Sequence, residues 1–252
     1  MLKTRVIPCL LLQNDILVKT IGFKNPKYIG DPINAIRIFN EKEVDELVLL
    51  DVTATIENKK LPIKILEKIA AECFMPLAYG GGIKTIEEIK QLFNLGIEKV
   101  VINSCAAENP AFIKQAAENF GSQSIVVSID ARKNELGAYE VIASSGTKST
   151  GKNPVDFAME MAMIGAGEIF LNSIDKDGAM TGYDVELIEK VAKAVNIPVI
   201  ASGGAGKIED FKTAVDAGAS AVAAASMFVF YGKNRAVLIS YPTQEELKKV
   251  LS

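Results

Sequence analysis

The sequence predicts a (β/α)8 barrel built from two similar halves, on three observations. The chain has 252 residues, close to the roughly 250 typical of a one-domain barrel of eight strands. Short runs rich in Val, Ile and Leu alternate with longer amphipathic segments along its whole length. A segment of the first half also repeats, without a gap, in the second.

The strands are placed at residues 5–11, 46–51, 76–79, 99–103, 124–130, 167–172, 198–202 and 219–225. Their near-continuous apolar character suits parallel strands covered on both faces. Helix starts lie between them. Asp31-Pro32 puts a capping acid before a first-turn proline, Thr85 precedes Glu87 and Glu88, and Asn109-Pro110 repeats the first pattern. Thr243-Gln244-Glu245-Glu246 reads as a capping box before the last helix. No Pro/Gly/Ser-rich linker interrupts the order, so residues 1–252 are expected to form one closed barrel rather than a doubly wound open sheet.

The repeat appears when Met75-Pro76-Leu77-Ala78-Tyr79-Gly80-Gly81-Gly82 is laid over Ile197-Pro198-Val199-Ile200-Ala201-Ser202-Gly203-Gly204. The same displacement matches Glu87 to Glu209, Gly96 to Gly218, Val100 to Val222 and Ser104 to Ser226. Two unrelated βα units would share apolar positions, but not these glycines and the final serine together.

Composition excludes several functions. A net charge of −3 with dispersed Lys and Arg gives no nucleic-acid footprint. No apolar run reaches the ~18 residues of a membrane span, and Met1-Leu2-Lys3-Thr4-Arg5 leads straight into a strand without a signal-peptide core. The three cysteines, Cys9, Cys73 and Cys105, lack metal-ligand spacing and read as reduced thiols of a cytoplasmic protein. There is no histidine, which removes a Ser-His-Asp triad and leaves proton transfer to carboxylates and lysines. No metal or cofactor is expected.

Each half carries a candidate phosphate cradle at the catalytic face. One pairs Gly81-Gly82 with Asn103-Ser104, the other Gly203-Gly204 with Ala225-Ser226. Glycines let backbone N–H groups approach an anion, and a helix start adds its positive end. A phosphorylated small molecule with a phosphate at each end fits such a site. Two loops join the candidate ligand contacts: Asp177-Gly178 after the sixth strand, and Ser145 in the segment 145–151 after the fifth, which could order over a substrate. Lys19, in a long loop after the first strand, and Asp51, ending the second, complete the set. Asp130 ends the fifth strand and is the candidate catalytic acid; its mate in the other half is Leu11. A second group of charges, Arg5, Glu46, Lys99 and Glu168, sits at strand beginnings, at the bottom mouth. Two of each sign can pair into a ring, either a stability plug or a gate.

These residues resemble one family, the cyclase subunit of imidazole-glycerol-phosphate synthase. The likeness covers almost the whole chain, through Arg5-Val6-Ile7-Pro8-Cys9-Leu10, Gly30-Asp31-Pro32, Asp51-Val52-Thr53-Ala54, Gly80-Gly81-Gly82-Ile83, Asn103, Phe120-Gly121-Ser122-Gln123, Asp130-Ala131, Ser173-Ile174-Asp175-Lys176-Asp177-Gly178 and Ala201-Ser202-Gly203-Gly204-Ala205-Gly206. The resemblance implies a partner glutaminase at the barrel bottom, ammonia passing the Arg5/Glu46/Lys99/Glu168 gate, and its addition at the top to a bis-phosphorylated ribulose-type substrate.

The sequence departs from that pattern where chemistry is concentrated. Leu11 stands where the family has its strand-1 aspartate, and Leu cannot transfer a proton, so cyclase turnover should fall by about 10²–10⁴. Lys19 is followed by Thr20-Ile21-Gly22-Phe23, and residues 230–242 are longer than usual. These departures are similar to those of paralogues associated with surface polysaccharides. The leading expectation is therefore a barrel subunit of a glutamine amidotransferase that channels ammonia toward a separate sugar-amidating enzyme acting on a nucleotide sugar. The alternatives are a working cyclase of histidine biosynthesis and a non-catalytic scaffold that binds partners.

Overall fold

The computed structural model describes residues 3–252. The reading of an N-terminus that runs into a strand holds from Lys3 onward; Met1 and Leu2 lie outside the described residues.

In chain order, β1 (Arg5–Gln13) is followed by a hairpin of β2 (Ile16–Ile21) and β3 (Lys24–Gly30), then α1 (Pro32–Glu41). β4 (Leu47–Asp51), α2 (Ile63–Glu72), β5 (Leu77–Gly80), α3 (Ile86–Asn94), β6 (Lys99–Ile102), α4 (Ser104–Glu108) and α5 (Pro110–Phe120) complete the first half. The second half repeats the plan. β7 (Ile125–Lys133) carries a hairpin of β8 (Tyr139–Ala143) and β9 (Lys148–Ser149), then α6 (Pro154–Ile164). β10 (Glu168–Ser173), α7 (Val185–Ala192), β11 (Val199–Ser202), α8 (Glu209–Asp216), β12 (Ala221–Ala224) and α9 (Ser226–Val229) follow. The chain ends with a small ladder, β13 (Phe230–Tyr231) and β14 (Ala236–Val237), and α10 (Gln244–Leu251).

Eight of these strands pair in parallel in the order β1-β4-β5-β6-β7-β10-β11-β12, and β12 pairs back onto β1, which closes the barrel. No sheet edge is left in the ring. The strands alternate with period two between two cores. Ile7, Cys9, Leu11, Val48, Ala78, Val101, Val126 and Phe170 point into the barrel. Val6, Leu10, Leu12, Tyr79 and Val127 pack outward under the helices, with Phe39, Phe157 and Phe211. This two-sided burial is why the strands read as apolar runs. Among the described residues no helix is long and apolar enough to cross a membrane.

Most predicted helix starts form as expected. Asp31 accepts a hydrogen bond from the backbone N–H of Asn34, and Thr85 with Glu88 and Thr243 with Glu246 make reciprocal capping boxes. Asn109 precedes α5 but does not cap it: its backbone lies outside the usual capping region (φ −139°, ψ 79°), and its side chain makes no capping hydrogen bond.

Three expectations about loops are corrected. The segment after the first strand is an antiparallel hairpin, and Lys19 sits within β2, 4% exposed. Ser145 lies in the turn of an ordered β8–β9 hairpin rather than in an open loop. β1 and β7 do not end at Leu11 and Asp130; each continues upward because a hairpin strand pairs with its last residues.

Register establishes the internal equivalence. Leu11 pairs with Leu50, and Asp130 pairs with Asn172. Leu50 in turn pairs with Gly80, and Asn172 with Ser202, the same displacement that relates the two glycine segments.

Candidate functional site

A cavity of about 680 Å³ opens at the C-terminal ends of the barrel strands. Every residue expected at the catalytic face lines it: Asp130, Lys19, Asp51, Gly81, Gly82, Asn103, Ser104, Ser145, Asp177, Gly178, Gly203, Gly204, Ala225 and Ser226. Leu11 and Cys9 form part of its floor.

Asp130 is the one buried carboxylate at the inner end of this pocket. β7 carries it inward, and two side-chain amides hold it: Asn172 Nδ2 donates to Oδ1 (3.1 Å) and Asn103 Nδ2 to Oδ2 (3.2 Å). Burial pushes its carboxyl up to about 7, the Asn172 hydrogen bond opposes that shift, and the nearby charge of Asp177 adds to it. Asp130 therefore exchanges a proton near neutral pH, as a general acid or base must. It caps no helix and anchors no loop.

The other carboxylates have local partners. Asp51 Oδ1 accepts from the backbone N–H groups of Thr53 and Ala54 (2.9 and 3.0 Å) and from the Thr53 hydroxyl, so it shapes the turn after β4. Lys19 Nζ donates to Asp177 Oδ1 (2.8 Å) and to the Thr20 carbonyl (2.9 Å), and the Gly22 N–H donates to the Asp177 carbonyl. These bonds fasten the β2–β3 hairpin to the segment after β10.

The glycines have a close-packing reason to be glycine. A Cβ on Gly81 would lie 2.7 Å from the Asp51 carbonyl oxygen, and one on Gly203 would lie 2.6 Å from that of Ser173. Both have positive φ (132° and 87°). Each glycine pair brings the chain against the preceding strand's loop and leaves backbone lining the pocket. Ser104 and Ser226 open the short helices α4 and α9 beside them.

At the opposite mouth, Arg5, Glu46, Lys99 and Glu168 close into a ring. Arg5 bonds both Glu46 and Glu168 (2.9 Å to the latter), and Lys99 Nζ lies 3.0 Å from Glu46 and 3.3 Å from Glu168. The Glu46 side chain is 3% exposed, and Arg5 only 26%. Between ring and pocket the interior is lined mainly by apolar side chains, with the buried Ser128 and the Cys9 thiol, which burial pushes up to about 12 and so keeps protonated.

Sequence reasoning missed Asn172 and Ser144. The repeat held the signal for Asn172, because an amide stands where the first half has Leu50. Nothing local marks Ser144, whose N–H reaches the Ser104 hydroxyl (2.9 Å) only because the β8–β9 hairpin folds back over the pocket.

Fold and site together define a duplicated (β/α)8 barrel with its main pocket at the strand C-termini, around one buried carboxylate. Residues 5–235 match the family model described as histidine biosynthesis protein, and the chain belongs to that family. It is 53% identical over 252 residues to a Pseudomonas aeruginosa protein provisionally named imidazole glycerol phosphate synthase subunit hisF2, covering 98% of this chain and 99% of that one. Similarity extends to the imidazole glycerol phosphate synthase subunit HisF of Alkaliphilus metalliredigens, 43% identical with 90% of this chain and 91% of that one covered. The Streptomyces coelicolor subunit of the same name is 44% identical, with 91% of each chain covered.

Proposed function

We propose that this chain is the ammonia-accepting barrel subunit of an imidazole-glycerol-phosphate-synthase-type amidotransferase. A partner glutaminase docks at the ring of Arg5, Glu46, Lys99 and Glu168 and releases ammonia from glutamine. Neutral NH₃ crosses the apolar interior, which offers an ammonium ion no counter-charge, and emerges beside Asp130. There a phosphorylated acceptor sits in the cradles of Gly81, Gly82 and Ser104 and of Gly203, Gly204 and Ser226, with Asp130 as the proton-transfer group. The observation that carries this reading is one continuous apolar core joining a charged ring at one mouth to a buried, near-neutral-titrating acid at the other.

Two acceptors compete. The names of the relatives favour the cyclase of histidine biosynthesis over the nucleotide-sugar reading that the sequence put first. The specific observation on the other side is Leu11. With it, the pocket has one buried acid instead of an opposed pair, which favours delivery of ammonia to a separate sugar-amidating enzyme. Retention of the whole ring and both glycine pairs weighs against a scaffold.

The test is turnover of purified chain with ammonia and the bis-phosphorylated ribulose-type substrate, and separately stimulation of a partner glutaminase. Normal cyclase turnover establishes the first acceptor. Glutaminase stimulation with turnover reduced by about 10²–10⁴ establishes the second. Absence of both removes the amidotransferase reading.

A further inference from the structure

The bore between the charged ring and Asp130 is not uniformly apolar. On β7 the residues Val126, Ser128 and Asp130 face inward, and on β10 so do Glu168, Phe170 and Asn172. Register sets them level in pairs: Val126 with Glu168 of the ring, Ser128 with Phe170, and Asp130 with Asn172. At a rise of about 3.3 Å per residue, Ser128 stands roughly 7 Å along the strand above the level of Glu168 and roughly 7 Å below Asp130. The inward residues of the other strands at these levels, among them Ile7, Cys9, Val101 and Ile200, carry no hydroxyl, amide or charge. Among the described residues, Ser128 supplies the one hydroxyl that faces the bore between the ring and Asp130.

Ser128 is 5% exposed, and what stays open lines the cavity. Outside the strand ladder it is bonded only through its carbonyl, which accepts from Asn103 Nδ2 (3.0 Å); its hydroxyl has no partner among the described residues. Asn172 repeats this one level up. Its Nδ2 donates to Asp130, while its Oδ1, beside Gly203, accepts from no group of the described residues. Buried polar atoms that no protein group satisfies mark a place for a small hydrogen-bonding molecule. No charged side chain stands at the level of Ser128, so a neutral molecule fits there and an ion does not. Phe170, the largest of the inward side chains, stands beside it and keeps the occupant small. Ammonia meets all three conditions: its nitrogen accepts from an O–H, and its N–H groups donate to a hydroxyl or amide oxygen.

We propose that Ser128 and Asn172 form a stepping site for neutral ammonia, with Ser128 Oγ holding it midway along the bore and Asn172 Oδ1 receiving it beside Asp130. This rests on the ammonia-accepting reading above and deepens it, because that reading by itself requires only an apolar path. No covalent bond forms or breaks at the site. Ser128 lends a donor and an acceptor to a molecule that has left water, and Asp130 remains the group that exchanges a proton. An ammonium ion gains nothing from the site, since neither oxygen carries a charge.

The full chain reconstituted with its partner glutaminase tests the proposal, by comparing product formed from glutamine with product formed from added ammonia. The product is that of the acceptor which the turnover assay establishes. Ammonia made at the ring must pass Ser128, whereas added ammonia enters at the open pocket beside Asp130. Ser128→Ala removes the hydroxyl without adding bulk. It should depress the glutamine route by about three- to tenfold more than the ammonia route, the worth of one hydrogen bond, with glutamate released in excess of product. Ser128→Cys keeps the size with a weaker donor and should fall between wild type and Ser128→Ala. A structural role alone would depress both routes together. Equal coupling in wild type and Ser128→Ala, or equal losses by both routes in the two variants, would overturn the stepping site and leave the ammonia-accepting reading standing. A wild-type complex with neither glutaminase stimulation nor turnover on added ammonia would overturn that reading, and the site with it.

Discussion

Leu11 and Asp130 occupy equivalent positions on strands that lie half-way round the barrel from each other, one paired to Leu50 and the other to Asn172. The first half thus presents a methyl-lined wall where the second presents a carboxylate. Asp130 works in a pocket with an apolar surface opposite, which contributes to the burial that raises its proton affinity.

Restoring the missing acid should restore proton transfer. Leu11→Asp is expected to raise ammonia-dependent cyclase turnover by about tenfold or more. It should also lower stability by about 2–4 kcal/mol, because it removes a buried Leu and introduces a second desolvated carboxyl. Steady-state kinetics with ammonia and urea denaturation read the two effects separately. Unchanged turnover in a folded variant would show that the strand-1 position no longer limits the reaction.

Asp130 gives a pH signature with a definite sign. Its carboxyl titrates at about 7 in the folded chain and at about 4 when unfolded. Between those values the native state holds a proton that the unfolded chain has released, so this residue makes stability fall as pH rises from about 4 to about 7 and has no further effect above that. The size is on the order of a few kcal/mol. Asp130→Asn should remove that slope, so its stability relative to wild type should climb across the same window. A difference that stays flat from acid to neutral pH would contradict the raised proton affinity.

The ring at the lower mouth should be cooperative. Glu46 is bonded to both Arg5 and Lys99, and its side chain is 3% exposed. Glu46→Gln leaves two cations sharing Glu168 and is expected to reduce stability by about 1–3 kcal/mol, below the fully buried range because Arg5 and Lys99 keep some solvent. Glu189→Gln, which breaks the exposed pair with Lys193, should leave the denaturation midpoint where it was. Equal effects of the two would mean that the ring does not act as a unit.

Two glycines separate backbone strain from close approach. Gly96 has a φ of 93° with nothing within 4 Å of an added Cβ, so Gly96→Ala should cost only about 1–2 kcal/mol. Gly203, with a φ of 87°, meets the Ser173 carbonyl at 2.6 Å. Gly203→Ala should therefore cost about 3 kcal/mol or more and displace the segment after β10. Thermal denaturation of the pair, with hydrogen exchange over residues 174–182, measures both.

Residues settled by local chemistry were legible in advance. The eight barrel strands could be read because burial on both faces leaves an uninterrupted apolar run, and the capping boxes at Thr85 and Thr243 because capping needs only residues three apart. The repeat also located both glycine pairs. Asn109 misled because a cap depends on backbone angles that the Asn-Pro pair does not fix.

What the sequence by itself determined was the barrel, its duplication, and which residues crowd each mouth, since periodicity and an in-register repeat specify the order and approximate place of the eight barrel strands. The tertiary structure decided the pairings: Asn172 and Asn103 on Asp130, Lys19 on Asp177, and Ser144 on Ser104. Those contacts join segments tens of residues apart. They exist because each hairpin reaches the segment after the equivalent strand, the β2–β3 hairpin to Asp177 after β10 and the β8–β9 hairpin to Val52 after β4. No local pattern encodes that choice; it follows from which carbonyls, amides and side chains each hairpin meets once the ring has closed.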